Sequence, residues 1–217
     1  MPELPELEVT KDRLRLALVG RLVAAALVRS PAALKTVTPP LESLAGKRIS
    51  SVNRLGKVIC IAFEDHTHLC IHLMLSGRFA FGPTRTTLNR THAFALRLDG
   101  DEDLRIIEDT THHRLSIYLV ADPQQIDIAA RLGPDPLSPE FTLARLRQSL
   151  ARRSRTLKRF LTDQSAIAGI GNCFSDEILF EARLSPFGLS TTAAMLRRKL
   201  CKRDIPKGSY PAPHDPP

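Results

Sequence analysis

The sequence predicts an α+β protein, with an N-terminal β-sandwich led by one helix and followed by a helical region. Three observations predict it. Eight short apolar or β-prone runs, at 21–28, 47–55, 57–64, 67–74, 77–81, 92–98, 103–108 and 114–120, are separated by turn residues such as Gly56, Glu64-Asp65, Gly82-Pro83 and Asp99-Gly100. Many short strands at this spacing suit a sandwich or a barrel. Beyond Leu132 the apolar period lengthens from that of strands to that of helices, across the proline-rich stretch Gly133-Pro134-Asp135-Pro136-Leu137-Ser138-Pro139.

Taken in order, Glu6 to about Val19 reads as a helix, because Leu7, Leu14 and Leu18 recur at near-helical spacing and Gly20 can stop it. Alternation is clearest in Ala93-Phe94-Ala95-Leu96-Arg97-Leu98 and in Leu115-Ser116-Ile117-Tyr118-Leu119, as expected of strands buried on one face. Helical patterns follow at Thr142–Arg153, Thr156–Thr162, Asn172–Ala182 and Thr191–Lys202. The stretch Asp204–Pro217 is rich in proline without apolar periodicity and reads as a disordered tail. The expected domains are residues 1–131, the sandwich, and 132–203, the helical region, with 204–217 as the tail.

At 217 residues the chain can bury a real core. No apolar run approaches the roughly 18 residues that span a bilayer, and the N-terminus lacks the basic-then-apolar layout of a signal peptide. A cytoplasmic location is expected. Cys60, Cys70, Cys173 and Cys201 form no CxxC pair, so free thiols in a reducing compartment are expected. The net charge of +8 is unevenly spread: residues 142–203 hold 13 Lys/Arg against 4 Asp/Glu, and the rest holds 18 against 19. The cationic excess therefore lies in one segment, which is either a polyanion-binding face or a solvated basic surface.

Two stretches carry chemistry. The first is Met1-Pro2-Glu3-Leu4-Pro5-Glu6. Removal of Met1 leaves a secondary amine on Pro2 beside the Glu3 carboxylate, the parts for nucleophilic catalysis through an imine. An α-amino group near ~8 is roughly 10% neutral at pH 7, against about 0.04% for a lysine near ~10.4. The same residues also make an ordinary helix start, with Pro5 and acidic side chains at the positive end of the dipole. The second stretch is Gln164-Ser165-Ala166-Ile167-Ala168-Gly169-Ile170-Gly171-Asn172. Its glycines let backbone approach a ligand, and Asn172 can cap the next helix and leave free N–H groups for a phosphate. A plain helix–turn–helix corner gives the same pattern.

Together these stretches resemble the formamidopyrimidine-DNA glycosylase and endonuclease VIII family of base-excision repair enzymes. Pro2-Glu3-Leu4-Pro5-Glu6 is similar to the family's terminal motif, and Leu4 favours the formamidopyrimidine branch. Asp163-Gln164-Ser165 through Asn172, Asp176-Glu177-Ile178-Leu179-Phe180 and Ser185-Pro186 resemble its helix–two-turn–helix motif, and Gly133-Pro134-Asp135-Pro136-Leu137 its connector. The resemblance implies that Pro2 attacks the sugar C1′ of a flipped damaged nucleotide. It implies that Glu3 protonates the ring oxygen, with Glu6 supporting the site. Lys57 would contact phosphate and damaged base, and Gly171 and Asn172 the flanking phosphates. Extrusion of a base leaves a gap that side chains fill; the match of His72-Leu73-Met74-Leu75-Ser76-Gly77 puts Leu75 there. His113, Arg114 and Leu115 stand where the family carries a second wedge, without its aromatic residue.

The chain departs from the pattern at its end, where the family's four-cysteine zinc finger has no counterpart. Neither a metal nor a cofactor is expected, and His112 and His113 lack further ligands at useful spacing. The implied function is a bifunctional glycosylase and AP lyase acting on oxidised purines such as 8-oxoguanine and formamidopyrimidines. Its implied partner is damaged double-stranded DNA, bound by a monomer. The alternative is a non-catalytic remnant that recognises damaged DNA.

Overall fold

The structure, a computed structural model, describes residues 1–108, 114–152 and 154–195, with side chains as far as Thr192. The expected tail 204–217, and with it His112 and His113, lies outside the described residues.

Helix α1 (Leu4–Leu18) opens the chain, and Leu4, Leu7, Leu14 and Leu18 bury one face of it. Each fully buried leucine stabilises the fold by roughly 1.5–3 kcal/mol relative to an exposed one. The helix ends at Val19, and Gly20 turns the chain at φ +89 while its N–H donates to the Ile49 carbonyl at 2.9 Å.

Eight strands follow, one for each run expected from the sequence: β1 (Val23–Val28), β2 (Ile49–Leu55), β3 (Val58–Phe63), β4 (His68–His72), β5 (Gly77–Pro83), β6 (His92–Leu98), β7 (Glu102–Glu108) and β8 (Ser116–Val120). They form two antiparallel four-stranded sheets, ordered β1-β6-β7-β5 and β2-β3-β4-β8. Period-two alternation sorts the side chains of the second sheet. Ile59, Ile61, Phe63, Leu69, Ile71, Ile117 and Leu119 face inward and meet Phe94, Leu96, Leu104 and Ile106 of the other sheet. Val58, Cys60, Cys70 and Val120 face outward and are covered by Ile126 and Ala129, at the short helix α2 (Asp127–Ala130). The sequence reading missed α2, because four residues are too few to show a period.

The helical region holds α3 (Leu143–Arg152), α4 (Leu157–Thr162), α5 (Asn172–Ala182) and α6 (Ser190–Met195). Leu150, Leu157, Phe160, Leu161, Ile167, Ile170 and Leu179 form its separate core. The connector between the halves is a strap packed on both sides. Its Gly133 N–H donates to the Gln164 carbonyl at 2.8 Å, and a Cβ on Gly133 would sit 2.6 Å from the Ser165 carbonyl oxygen. On the other side, Leu132 lies so close to Gly56 that a Cβ there would be 2.9 Å from its methyl carbons. Among the described residues no helix is long and apolar enough to cross a membrane.

Candidate active site

Three segments bring the site together. Helix α1 carries Pro2 and Glu3 at its N-terminus, the β2–β3 hairpin carries Lys57, and the loop before α5 carries Gly169 and Gly171, with Asn172 opening the helix. The hairpin loop is only two residues, Gly56-Lys57, joining the register pair Leu55 and Val58. Such a loop needs positive φ at its first position, which Gly56 supplies at +57.

Glu3 is 4% exposed although it is charged. Its Oε2 accepts from the Gly171 N–H at 2.7 Å and the Phe174 N–H at 3.0 Å, and its Oε1 accepts from the Cys173 N–H at 2.9 Å. These are orphan donors at the first turn of α5, so the positive end of that helix is capped by a carboxylate 168 residues away in sequence. The backbone on either side is fixed as well. Leu4 N–H donates to the Gly169 carbonyl at 2.9 Å, and Glu3 N–H donates to Glu6 Oε2 at 2.8 Å. Glu6 thus holds the peptide next to Pro2 from one helical turn away.

Lys57 is 6% exposed and stands beside the same carboxylate. Burial holds its amine below the ordinary lysine value, and the Glu3 charge opposes that shift. A Cβ on Gly171 would sit 2.5 Å from Glu3 Cδ and 2.7 Å from Lys57 Nζ, so a side chain there would have to displace one or both groups. His72, opposite Val58 in the β3–β4 register, borders this pocket. Burial, then the Lys57 charge, push its imidazole down to about 4, and its Nδ1 accepts from the Met74 N–H at 3.3 Å. The imidazole is therefore neutral near pH 7. Arrayed in this way, the site has a buried acceptor carboxylate and a buried amine side by side, with the half-buried Pro2 next to Glu3 in the chain.

Four expectations need correction. The N–H groups at the start of α5 are not free for phosphate, since Glu3 takes three of them. Gly171 is accordingly a buried packing residue rather than a DNA contact, and Asn172 is the first helical residue, not the cap. Leu115 is 1% exposed inside the sandwich core, so it has no surface from which to fill a gap in a duplex. It is held there by Glu108, whose Oε1 accepts from the Leu115 N–H at 3.0 Å and the Arg114 N–H at 2.8 Å.

Other expected residues are outward. Arg114 and Asn172 are exposed. Leu75 is 65% exposed on the loop after β4, where Met74 takes φ +54. His113 lies outside the described residues. Of the basic residues near α5, Arg152 and Arg159 are exposed, whereas Lys158 is engaged with the Asn172 carbonyl at 2.7 Å and Asp176 at 2.5 Å, and Arg155 with Asp163.

The sequence reading also missed Arg54. Its Nε donates to Glu8 Oε1 at 2.6 Å, its Nη1 to the Gly56 carbonyl at 2.9 Å and its Nη2 to Asp135 Oδ2 at 2.7 Å. Burial alone would raise the Glu8 carboxyl, but hydrogen bonds from Lys11 and Arg54 bring it below the usual carboxylate value. An arginine near the end of a strand run gives no signal by itself. Its burial becomes visible only when α1 and the connector close over it.

The described cysteines lie in different places. Cys60 and Cys70 are a buried cross-strand pair, Cys173 is exposed on α5, and Cys201 lies outside the described residues. Among the described residues no group of three His, Cys, Asp or Glu side chains could hold a metal ion.

Comparison with known proteins agrees with this geometry. Residues 1–114 match the formamidopyrimidine-DNA glycosylase N-terminal domain, and residues 132–205 match the formamidopyrimidine-DNA glycosylase H2TH domain. A formamidopyrimidine-DNA glycosylase of Thermus thermophilus is 38% identical over 188 residues, covering 86% of this chain and 66% of the relative. That of Herpetosiphon aurantiacus is 34% identical over 189 residues, covering 86% and 68%. The crystal structure of the MutM (Fpg) protein from Thermus thermophilus superposes with a TM-score of 0.75 at 34% identity, over 88% of this chain and 68% of that one. A Lactococcus lactis Fpg non-covalently bound to DNA containing an AP site shares the fold, with a TM-score of 0.79 at 23% identity, over 88% and 73%. The chain spans just under two thirds of the length of the Thermus relative, 66%.

Proposed function

Because this chain belongs to the formamidopyrimidine-DNA glycosylase family, we propose that it removes oxidised purines from double-stranded DNA and cleaves the strand at the resulting abasic site. The observation that carries the reading is the seat of Glu3. The residue after Pro2 is locked on the first turn of α5, beside Lys57, by three N–H bonds of 2.7–3.0 Å. A Pro2 joined to a residue held this firmly can be a nucleophile of fixed position, which is where much of a catalytic advantage comes from.

In the proposed reaction Met1 is removed and the Pro2 nitrogen attacks C1′ of an extruded nucleotide. The bond from C1′ to the base breaks, and the base leaves with its electron pair and takes up a proton. Ring opening moves a proton onto the sugar ring oxygen, near Glu3, and leaves an iminium between Pro2 and C1′. Loss of a C2′ proton then expels the 3′ phosphate, a second elimination expels the 5′ phosphate, and water releases Pro2. Lys57 supplies a buried positive charge for phosphate or base. Leu75 fills the vacated stack with Arg114 and, by sequence, His113 at the second wedge, and Asn172 meets the backbone. No step uses a metal, and the chain acts as a monomer in the cytosol.

Borohydride added during turnover tests this directly. Wild-type protein on duplexes carrying 8-oxoguanine or an abasic site should yield a covalent adduct on Pro2, and Pro2→Gly and Glu3→Gln should lower its yield. A protein that binds such duplexes but gives no adduct would instead be the damaged-DNA-binding remnant. Mass spectrometry of the N-terminus belongs in the same experiment, since retained Met1 makes the Pro2 nitrogen an amide. Affinity for DNA should fall steeply between ~50 and ~200 mM salt, as phosphate contacts require.

A further inference from the structure

We infer that Arg54 is a positioning residue for the proposed reaction, tying together the three segments that deliver the parts of the site. The inference rests on the reading above. Each hydrogen bond of its guanidinium goes to a different segment. Glu8 belongs to α1, which carries Pro2 and Glu3; the Gly56 carbonyl belongs to the peptide bond that enters Lys57; Asp135 belongs to the connector, whose Pro134 carbonyl accepts from the Ala168 N–H at 3.1 Å in the loop before α5. The guanidinium is at the centre of the junction, with its side chain only 4% exposed.

The connections beyond the arginine are equally short. Asp135 uses its second oxygen to accept from the Leu137 N–H at 2.9 Å, which fixes the turn of the connector. Leu132 of the same connector lies over Gly56. Glu8 is shared with Lys11 at 2.5 Å, so two cations and two carboxylates balance in the cluster. A planar fork with several fixed N–H directions can satisfy three acceptors on three segments at once. Lysine keeps the charge but not those directions. A shift of the Gly56–Lys57 peptide would be transmitted to Lys57 in a two-residue loop that has no slack.

A merely structural arginine would affect folding alone, so the test separates folding, binding and chemistry. In full-length protein, Arg54→Lys should lower the single-turnover rate on an abasic-site duplex by about tenfold to a hundredfold, the range expected for misplacement near 1 Å. Asp135→Asn, on the rim of the junction, should lower it by about threefold to tenfold on the same grounds. The DNA Kd should stay within about twofold, and thermal unfolding should show both variants folded at the assay temperature. Methylguanidinium should restore part of the rate to Arg54→Ala. Unchanged single-turnover rates in both variants, or rates that fall only in step with the folded fraction, would overturn the assignment.

Should the wild-type protein form no adduct, the functional reading fails and the positioning role is decided separately. Proton titration of the Lys57 side chain by NMR, on dimethylated lysines, reads its surroundings without any reaction. Arg54→Lys and Asp135→Asn should both move that titration toward the ordinary lysine value. A titration identical to wild type in both would refute it.

Discussion

The molecule starts two helices in opposite ways. At α1 the free N–H of Glu3 is satisfied by Glu6, three residues on, at 2.8 Å. At α5 the free N–H groups of Gly171, Cys173 and Phe174 are satisfied by Glu3, 168 to 171 residues away. The first cap needs only a local turn of chain. The second exists only when the sandwich and the helical region are docked, so it reports on the assembly of the whole site. One residue, Glu3, is the capped group in the first case and the capping group in the second. Stability of the catalytic helix and placement of the helical region are thereby coupled through a single side chain.

Breaking the remote cap should have the largest effect. Gly171→Ala puts a methyl group against Glu3 and Lys57, both buried, and should cost roughly 3 kcal/mol in urea unfolding, at the upper end for overpacking. A loss below about 1 kcal/mol would mean that the two side chains can retreat, and that the remote cap is soft.

Acid should loosen the same pocket next. Unfolded chain takes a proton on His72 below its ordinary value of 6.5, whereas the folded chain refuses it until about 4. Stability therefore falls as pH drops from about 6.5 to about 4, by at most ~3 kcal/mol at 1.36 kcal/mol per pH unit. His72→Gln should flatten that part of the stability–pH curve, and an unchanged slope would place the titrating group elsewhere.

Glu3→Gln keeps the shape but turns an amide N–H2 toward backbone donors, and should cost about 2 kcal/mol. Glu6→Ala removes the local cap alone and should cost about 1 kcal/mol. Comparing those two variants by chemical denaturation sharpens the contrast. Equal costs would show that the remote cap adds no more than the local one.

How much was legible follows the same division. All eight strands were readable, because short apolar or β-prone runs such as Val58–Phe63 are bounded by turn residues; which face Ile59, Ile61 and Phe63 share was settled only by the packed sheets. Helix α5 was readable to its ends, Asn172 and Ala182, since Gly171 precedes it and its apolar residues keep a helical period. The pairing of Pro2, Glu3 and Lys57 came from motif resemblance, and the structure seats Glu3 and Lys57 in one pocket. Leu115 was misjudged because it was assigned by resemblance to the wedge motif, although it shares the alternation of Ile117 and Leu119, which the opposite sheet buries. Gly171 was misjudged because a glycine before a helix looks the same whether a phosphate or a carboxylate of the same chain lies beyond it.

Sequence alone therefore determined the eight strands and the longer helices in their order, the turn at Gly56 next to Lys57, and the acidic start of α1. Those features rest on periods and turns that span a few residues. Only the tertiary structure decided that Glu3 caps α5, that Gly171 lies against Glu3 and Lys57, and that Arg54 joins α1, the hairpin and the connector. The contacts made by Glu8 and Glu3 join residues 46 to 171 positions apart. No local pattern records them, because their partners become neighbours only when two separate cores have formed and docked.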